Sequence, residues 1–400
     1  MLARSRLKQI PVQTDLDLSS LKTFVRDEIL PFVNDKNRPK EFPKQILESL
    51  HQQGWVQAYI PTSLGGSGIS TSDLIHVMRE IAYGSSGIGT SIVANILGAL
   101  PVLNYGNKNL AQKLAQESIQ RFSLWSLCMT EPETGSDVGH LVTRASRVPG
   151  GYRIQGKKCF ITNANHADHY TVFASVVDSS GADARTSQVT AFYIPAHEKG
   201  VRRGAVLEKL GQMESDTGEI FFDDVFVPEE NRVGAEGEGL AIAFHSLQRS
   251  RVLISAMGVG ICERAAHLLE NDLNYRMRYG KPLLKQPVIY SLLAELYTQC
   301  EAAWLLTCQA AAVWDTGEKS LRESSMAKLF SADATVNFVN EVLELIGGYG
   351  YTTEFEISRL YRDAKLLEIY EGPSFVQQVL VAKELFPLVF STKKEFRKAA

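Results

Sequence analysis

Apolar residues recur at helical spacing through the first third of the chain. Leu18, Leu21, Val25, Ile29 and Leu30 share a face, and Ile46, Leu47, Leu50 and Trp55 continue the pattern. Pro31, Pro43 and Pro61 punctuate it. A loop at 63–68 (SLGGSG) precedes a predicted helix over 71–82, and small residues dominate 84–100, which would allow close helix–helix approach. Near Phe122 the period falls towards two. The runs beginning at Tyr152, Cys159, Tyr170, Val189 and Ile220 predict short strands, with turns at Gly150-Gly151, 178–181 and Asp223-Asp224. Half a dozen strands without intervening helices predict a compact antiparallel sheet or barrel. After Gly237-Glu238-Gly239 the helical period returns over 240–279, 288–316, 320–346 and 375–385, as in a helical bundle. The expected fold class is α+β: an N-terminal α-helical domain (1–122), a middle antiparallel β-domain (123–236) and a C-terminal helical bundle domain (237–400).

Four hundred residues are too many for one core, since single cores stop growing near ~250–300 residues. Hydrophobic residues make up 44% and charged residues 22%, the balance of a globular chain. With 42 basic against 45 acidic residues the net charge is -3, so no long-range field draws the chain onto nucleic acid or an acidic membrane. No run reaches the ~18 uninterrupted apolar residues of a spanning segment, so no membrane partner is expected. The basic start lacks an apolar core, so a secretory signal is not expected, and the basic end at 392–400 reads as a frayed tail. Five cysteines, odd in number and in no C-x-x-C spacing, fit reduced thiols and a cytoplasmic location.

Several chemistries are set aside by their missing motifs. The chain has no G-x-G-x-x-G, no P-loop, no G-x-S-x-G elbow and no H-E-x-x-H. His166 and His169 stand three apart without a third ligand nearby, so no metal site is expected.

Three stretches remain. Residues 127–137 (LCMTEPETGSD) form a strand end and a loop rich in hydroxyls and small residues. The loop can approach a flat or phosphorylated ligand through Thr130 and Ser136, or it can be an ordinary turn around Pro132 and Gly135. Residues 158–163 (KCFITN) alternate so that Phe160 and Thr162 share a face; they could hold a heteroaromatic ring, or Phe160 could be core. In 363–374 (DAKLLEIYEGPS), Glu371 follows apolar residues and precedes the helix-breaking Gly372-Pro373. A carboxyl sheltered by apolar walls gains the basicity that a proton abstractor needs, although a solvent-facing carboxylate fits as well.

In this order and spacing the stretches resemble the acyl-CoA dehydrogenase family. Its T-E-P-x-x-G-S-D is matched by Thr130 to Asp137, and its W-I-T-N by Phe160-Ile161-Thr162-Asn163. Its R-x-x-F-G is matched by Arg276 to Gly280, its G-G-x-G by Gly347 to Gly350, and its R-D…I-Y-E-G by Arg362 to Gly372. The resemblance covers about residues 15 to 386. It implies a C-terminal four-helix bundle, non-covalently bound FAD and a homotetramer or homodimer. It further implies acyl-CoA, or an acyl-carrier-protein thioester, as substrate in fatty acid metabolism, and an electron-transfer flavoprotein or similar acceptor. By the same resemblance Glu371 takes the α-proton while the β-hydride passes to flavin N5, and the Glu371 N–H helps to stabilise the enolate oxygen. The implied cofactor-binding residues are Leu127, Met129, Thr130, Gly135, Ser136, Phe160, Ile161, Thr162, Arg276, Tyr279, Glu344, Gly347 and Gly348, with Arg276 reaching the pyrophosphate of a neighbouring subunit. Ser136, Arg251, Tyr370 and Gly372 are the implied substrate-binding residues.

A subset of the family carries its base on the earlier bundle helix, but 248–252 (QRSRV) holds no carboxylate, which leaves Glu371 as the matched base. The chain departs from the family at Phe160 (usually Trp), Pro287, Glu344 (usually Gln), Pro373 and Phe375. Glu344 would place negative charge near a diphosphate. The rival reading on this scaffold is a flavin monooxygenase or oxidase, whose members generally lack the catalytic Glu. A carrier protein would need a positive rim, for which Arg202, Arg203, Arg249 and Arg251 are candidates.

Overall fold

The structure, a computed structural model, describes residues 16–37, 41–177, 189–273, 275–386 and 389. The expected turn at 178–181 and the basic end at 392–400 lie outside these residues. The helices are α1 Ser19–Phe24, α2 Leu30–Asn34, α3 Lys44–Gln52, α4 Thr71–Gly84, α5 Ser86–Tyr105, α6 Lys108–Gln120, α7 Gly239–Leu273, α8 Pro287–Asp315, α9 Leu321–Ile346, α10 Glu356–Lys365 and α11 Ser374–Leu385. The strands are β1 Trp125–Cys128, β2 Arg144–Val148, β3 Gly151–Thr162, β4 His169–Val177, β5 Val189–Pro195, β6 Val201–Val206, β7 Thr217–Pro228, β8 Arg232–Val233, β9 Met277–Arg278 and β10 Lys281–Pro282. Two compact units interleave along the chain: residues 28–70 and 87–250 form one, and residues 16–27, 71–86 and 251 onwards form the other.

The first unit is built on a sheet of order β6-β7-β3-β2-β4-β5-β8. Every residue of β4 is buried, and antiparallel β5 covers one of its edges. The other edge is shared. Trp125–Cys128 run parallel to His169–Val172, and Arg144–Ser146 run parallel to Ser175–Val177. The sheet is therefore mixed where alternation alone suggested an antiparallel one. Residues 129–143 must leave the sheet between β1 and β2, and that excursion carries the first candidate stretch.

The runs starting at Tyr152 and Cys159 are halves of one strand, β3, kinked twice against β7. The first kink faces Asp223-Asp224, which is a bulge inside β7 and not the expected turn. Asp224 takes φ 53, and its N–H donates to Gln155 Oε1 at 2.8 Å. The second kink lies at Cys159-Phe160, where Phe160 takes φ 55. Strands β2 and β6 escape an alternation reading because most of their residues are open to solvent. Helix α5 sets a small residue against the sheet. A Cβ on Gly98 would lie 2.9 Å from the backbone of Ser126.

In the second unit α9 packs against α8, α10 and α11. Helix α7 is fitted closely to its neighbours through two glycines. A Cβ on Gly258 would stand 2.6 Å from the hydroxyls of Ser331 and Thr335 on α9, and one on Gly260 would stand 2.2 Å from the Arg79 carbonyl oxygen on α4. The helical pattern over 240–279 runs past the real end of α7 at Leu273. Tyr279 (φ 49) and Gly280 (φ 72) instead turn a small β9–β10 hairpin. Pro31 does not break its helix, because a π turn at Val25–Ile29 shifts the hydrogen-bond register just before it. Helix α5 and residues 239–270 of α7 are long and apolar enough to cross a membrane, but 94% and 83% of the respective windows are buried in the protein.

Candidate active site

The sheet unit assembles one set of candidates at the split edge of β4. Ser126 Oγ donates to the Thr162 carbonyl at 2.8 Å, and the Cys159 N–H donates to the Thr130 carbonyl at 3.0 Å. The ends of β1 and β3 are thereby tied side by side. Asn163 (φ 62) is fully buried, and its Nδ2 donates to the carbonyls of Ser91 (2.9 Å) and Trp125 (3.3 Å). On the open side stand Leu127, Thr130 and Thr162, all half-buried, with Phe160 at 67% exposure. Phe160 is thus not the core residue that a strand Phe usually is. Met129 and Ile161 turn their side chains into the core and can offer a ligand only backbone. Gly135 and Ser136 lie exposed in the excursion, with no atom within 4 Å of a Cβ built on Gly135. An exposed aromatic ring with two half-buried threonines on tied strand ends fits a flat heteroaromatic group such as a flavin.

The helical unit assembles the second set around Glu371. A short 3₁₀ turn at Leu366–Glu368 follows α10, and α11 starts at Ser374 behind Pro373. Between them Glu371 (φ 57) and Gly372 (φ 88) are both left-handed. Three buried side chains from three helices hold this turn. Arg251 Nε of α7 donates to the Glu371 carbonyl at 3.1 Å, and Gln377 Nε2 of α11 donates to the same oxygen at 3.0 Å. Gln377 Nε2 also donates to the Gly372 carbonyl at 2.8 Å, as does Lys328 Nζ of α9, also at 2.8 Å. A Cβ on Gly372 would come within 2.6 Å of Gln377 Nε2, so only glycine suits that position.

The expected apolar walls around Glu371 are in fact partly cationic. Arg251 is 3% exposed and Lys328 is fully buried. Burial pushes the Lys328 ammonium down to about 8 against the opposing pull of Glu371, and burial likewise lowers the Arg251 guanidinium. Lys328 and Gln377 carry no motif signal. Lys328 does stand out as a lone charge on the stripe Ser324, Ser331 and Thr335, which is small, hydroxylated and buried.

Not every candidate joins this turn. Arg276 Nη1 caps the C-terminal end of α9, donating to the carbonyls of Leu345 (3.1 Å) and Ile346 (2.5 Å), and it also meets Asp272 at 3.1 Å. Gly347 (φ 74) turns the chain beside it, Gly348 and Glu344 are exposed, and Asn340 Nδ2 donates to Glu344 Oε1 at 3.1 Å. Tyr279 is 96% exposed. Sixteen residues of α9 separate Glu344 from Lys328, about 24 Å at ~1.5 Å per residue. The Arg276 corner is therefore distinct from the Glu371 turn. Tyr370 is half-buried next to Glu371. Of the arginines expected on a rim, Arg249 (7% exposed) and Arg251 are buried, because α7 runs through the protein interior. Only Arg202 and Arg203 of β6 lie on the outside. His166 stacks on Phe42 at 4.1 Å, and His169 bonds Tyr193 at 3.1 Å.

Comparison with known proteins gives the same outline. Three family descriptions of acyl-CoA dehydrogenase match in order: the N-terminal domain at 17–120, the middle domain at 126–225 and the C-terminal domain at 237–386. An acyl-CoA dehydrogenase of Bacillus subtilis is 34% identical over 369 residues, covering 91% of this chain and 96% of its own. A 3-(aryl)acrylate reductase of Clostridium sporogenes is 33% identical over 375 residues, covering 93% and 98%. The solved butyryl-CoA dehydrogenase of Megasphaera elsdenii superposes with a TM-score of 0.86 at 30% identity, covering 93% of this chain and all of that one. The chain belongs to the acyl-CoA dehydrogenase family, FAD-dependent oxidoreductases that act on CH–CH bonds.

Proposed function

We propose that the chain desaturates an acyl thioester between Cα and Cβ, with Glu371 as the base that removes the α-proton. The observation that carries this reading is the turn itself, in which three buried donors fix a carboxyl-bearing residue in a left-handed conformation that a non-glycine residue adopts only at a cost. An α C–H beside a thioester is a very weak acid, so the base must be held in place and the developing enolate oxygen must meet a fixed donor. The Glu371 N–H fills that role in this reading, with Tyr370 and Gly372 lining the acyl group and Ser136 meeting the thioester arm.

The open face of the sheet unit suits FAD. Thr130, Phe160 and Thr162 would hold the ring through side chains, Met129 and Ile161 through backbone, and Leu127 through packing. FAD supplies the two-electron acceptor when it is bound. Arg276, Tyr279, Glu344, Gly347 and Gly348 would serve the diphosphate end from a neighbouring subunit of a homotetramer or homodimer, which accords with their separation from Glu371. Acyl-CoA is favoured over a carrier protein, because two of the four rim candidates, Arg249 and Arg251, lie buried and only Arg202 and Arg203 are left for a docking rim. Electrons would leave through an electron-transfer flavoprotein or similar acceptor. Five buried free thiols fit a reducing, cytoplasmic setting. The oxidase reading is not favoured, since relatives at 34% and 33% identity are a dehydrogenase and a reductase, against 26% for a structurally similar prolyl acyl carrier protein oxidase.

The test is anaerobic. The purified flavoprotein is mixed with a panel of acyl-CoA and acyl-carrier thioesters, and bleaching of the flavin band is followed. Glu371→Gln should retain flavin and bind thioester but slow bleaching by about three orders of magnitude or more, because position survives and the base does not. Unchanged bleaching in that variant overturns the assignment.

A further inference from the structure

Lys328 is a charge on an otherwise uncharged buried stripe of α9, at a position where a lysine is costly unless it is used. Its Nζ donates to the Gly372 carbonyl at 2.8 Å, an oxygen that it shares with Gln377 Nε2 at the same distance. Two carbonyl acceptors also fix which end of the Gln377 side chain is the amide nitrogen, since Nε2 serves both Glu371 and Gly372. The peptide that follows Glu371 is therefore pinned from α7 and α11, and the next one from α9 and α11. We propose that Lys328 is a positioning residue for Glu371, its buried ammonium clamping the Gly372 carbonyl so that the left-handed turn presents the carboxyl in one orientation. The proposal rests on the reading of Glu371 as the base.

The clamp also sets the charge around the carboxyl. Arg251 of α7 and Lys328 of α9 act on it directly, while Asp333 of α9 and Glu368 of the preceding 3₁₀ turn act on Lys328, and Lys365 of α10 acts on Asp333. Ser374 and Gln377 of α11 contribute neutral donors, Ser374 Oγ reaching Asp333 Oδ1 at 3.1 Å. Lys328 and Arg251 are both cations that interact with the base. Removing Lys328 thus takes away both a tether and a positive charge that favours the ionised carboxylate.

The experiment compares Lys328→Met, Lys328→Gln and Glu371→Gln with the wild type, all as flavin-loaded protein with the flavin-to-protein ratio and melting temperature recorded. In Lys328→Met, the anaerobic bleaching rate at neutral pH should fall about 100-fold, the cost of a misplacement near 1 Å, while the half-saturating thioester concentration stays within about threefold. The acid limb of the rate–pH profile should move to higher pH, because a nearby cation is gone. A purely structural lysine would lower the melting temperature without moving that limb. A wild-type rate with an unmoved limb overturns the proposal. If Lys328→Met does not fold, Lys328→Gln, which keeps a polar group but not the charge, should show the same displaced limb; an unmoved limb there also overturns it. Glu371→Gln separates the two claims. If it bleaches at the wild-type rate, the base assignment itself fails; if it is inert while Lys328→Met is normal, only the positioning role fails.

Discussion

Lys158 and Glu131 form an ion pair sealed inside the sheet unit, with Nζ 2.7 Å from Oε1 and the side chains 0% and 3% exposed. Lys158 also donates to the Met129 carbonyl at 3.0 Å, while the Glu131 carboxylate accepts the N–H groups of Val142 (2.5 Å) and Thr143 (3.0 Å). The pair thus ties both ends of the 129–143 excursion to β3, and the proposed ring-binding face depends on it. Lys158→Met leaves a buried carboxylate unpaired, which costs about 3–5 kcal/mol. Urea unfolding should show a loss of that size, and the double variant Lys158→Met/Glu131→Gln should lose clearly less than the two single losses added. Burial pushes the Glu131 carboxyl up, but the charge and hydrogen bonds of Lys158 with the two backbone donors more than reverse this and hold it below its ordinary value. The pair's contribution is accordingly present above the ordinary carboxylate range and lost as the pH falls through the depressed value.

His76 gives a second pH dependence, in the helical unit. It is 6% exposed, edge-on to Trp304 at 5.0 Å, and Arg79 stacks on the same indole at 4.4 Å. Burial, with the Arg79 charge adding to it, pushes the imidazole down to about 4 from 6.5. An unfolded chain takes up this proton below 6.5, whereas the folded one refuses it until about 4, so stability falls as the pH drops through that window. Going from pH 7 to pH 5 should cost about 2 kcal/mol from this residue alone. Denaturant titrations of His76→Phe should show the pH 7-to-5 loss reduced by about that amount. Part of the loss should remain, because His169 is also pushed down to about 4 by burial.

Much of the outline was legible in the sequence because it rests on local signals: periods of 3.6 and 2, and turn residues such as Gly372-Pro373. What escaped depends on partners distant in sequence. Strands β1 and β2 run parallel to β4 because they share one of its edges, and no alternation pattern encodes that sharing. Asp223-Asp224 has the composition of a turn, yet β3 supplies Gln155 to hold it as a bulge. Around Glu371 the apolar neighbours in sequence suggested apolar walls. The groups that actually bear on it arrive from other helices: Arg251, which the resemblance named for the substrate, and Lys328 and Gln377, which stand at positions without a motif.

Arg276 has one duty within this chain and a second, proposed one at the cofactor, and the two are separable. Its bonds to the carbonyls of Leu345 and Ile346 satisfy acceptors at the end of α9 that the helix cannot satisfy itself. Arg276→Ala should therefore destabilise the flavin-free protein by about 1–3 kcal/mol. If the family role at a neighbour's diphosphate also holds, the variant should lose additional stability when FAD is present, visible as a smaller FAD-induced rise in melting temperature. An unchanged FAD-induced rise would restrict Arg276 to capping.

Phe160 combines a left-handed backbone, φ 55, with a ring that is 67% exposed. Neither feature favours the protein alone: the conformation costs about 1–2 kcal/mol for a residue with a Cβ, and the ring gains little from burial. Such strain persists where a ligand makes use of it. Phe160→Gly should accordingly stabilise the flavin-free protein by up to about 1 kcal/mol while weakening FAD binding, and Phe160→Trp should keep the strain and tighten FAD. Melting curves with and without FAD, together with fluorescence titration of the cofactor, measure both effects. A Phe160→Gly variant that gains no apo stability and binds FAD like the wild type would show that neither the strain nor the ring belongs to the cofactor site.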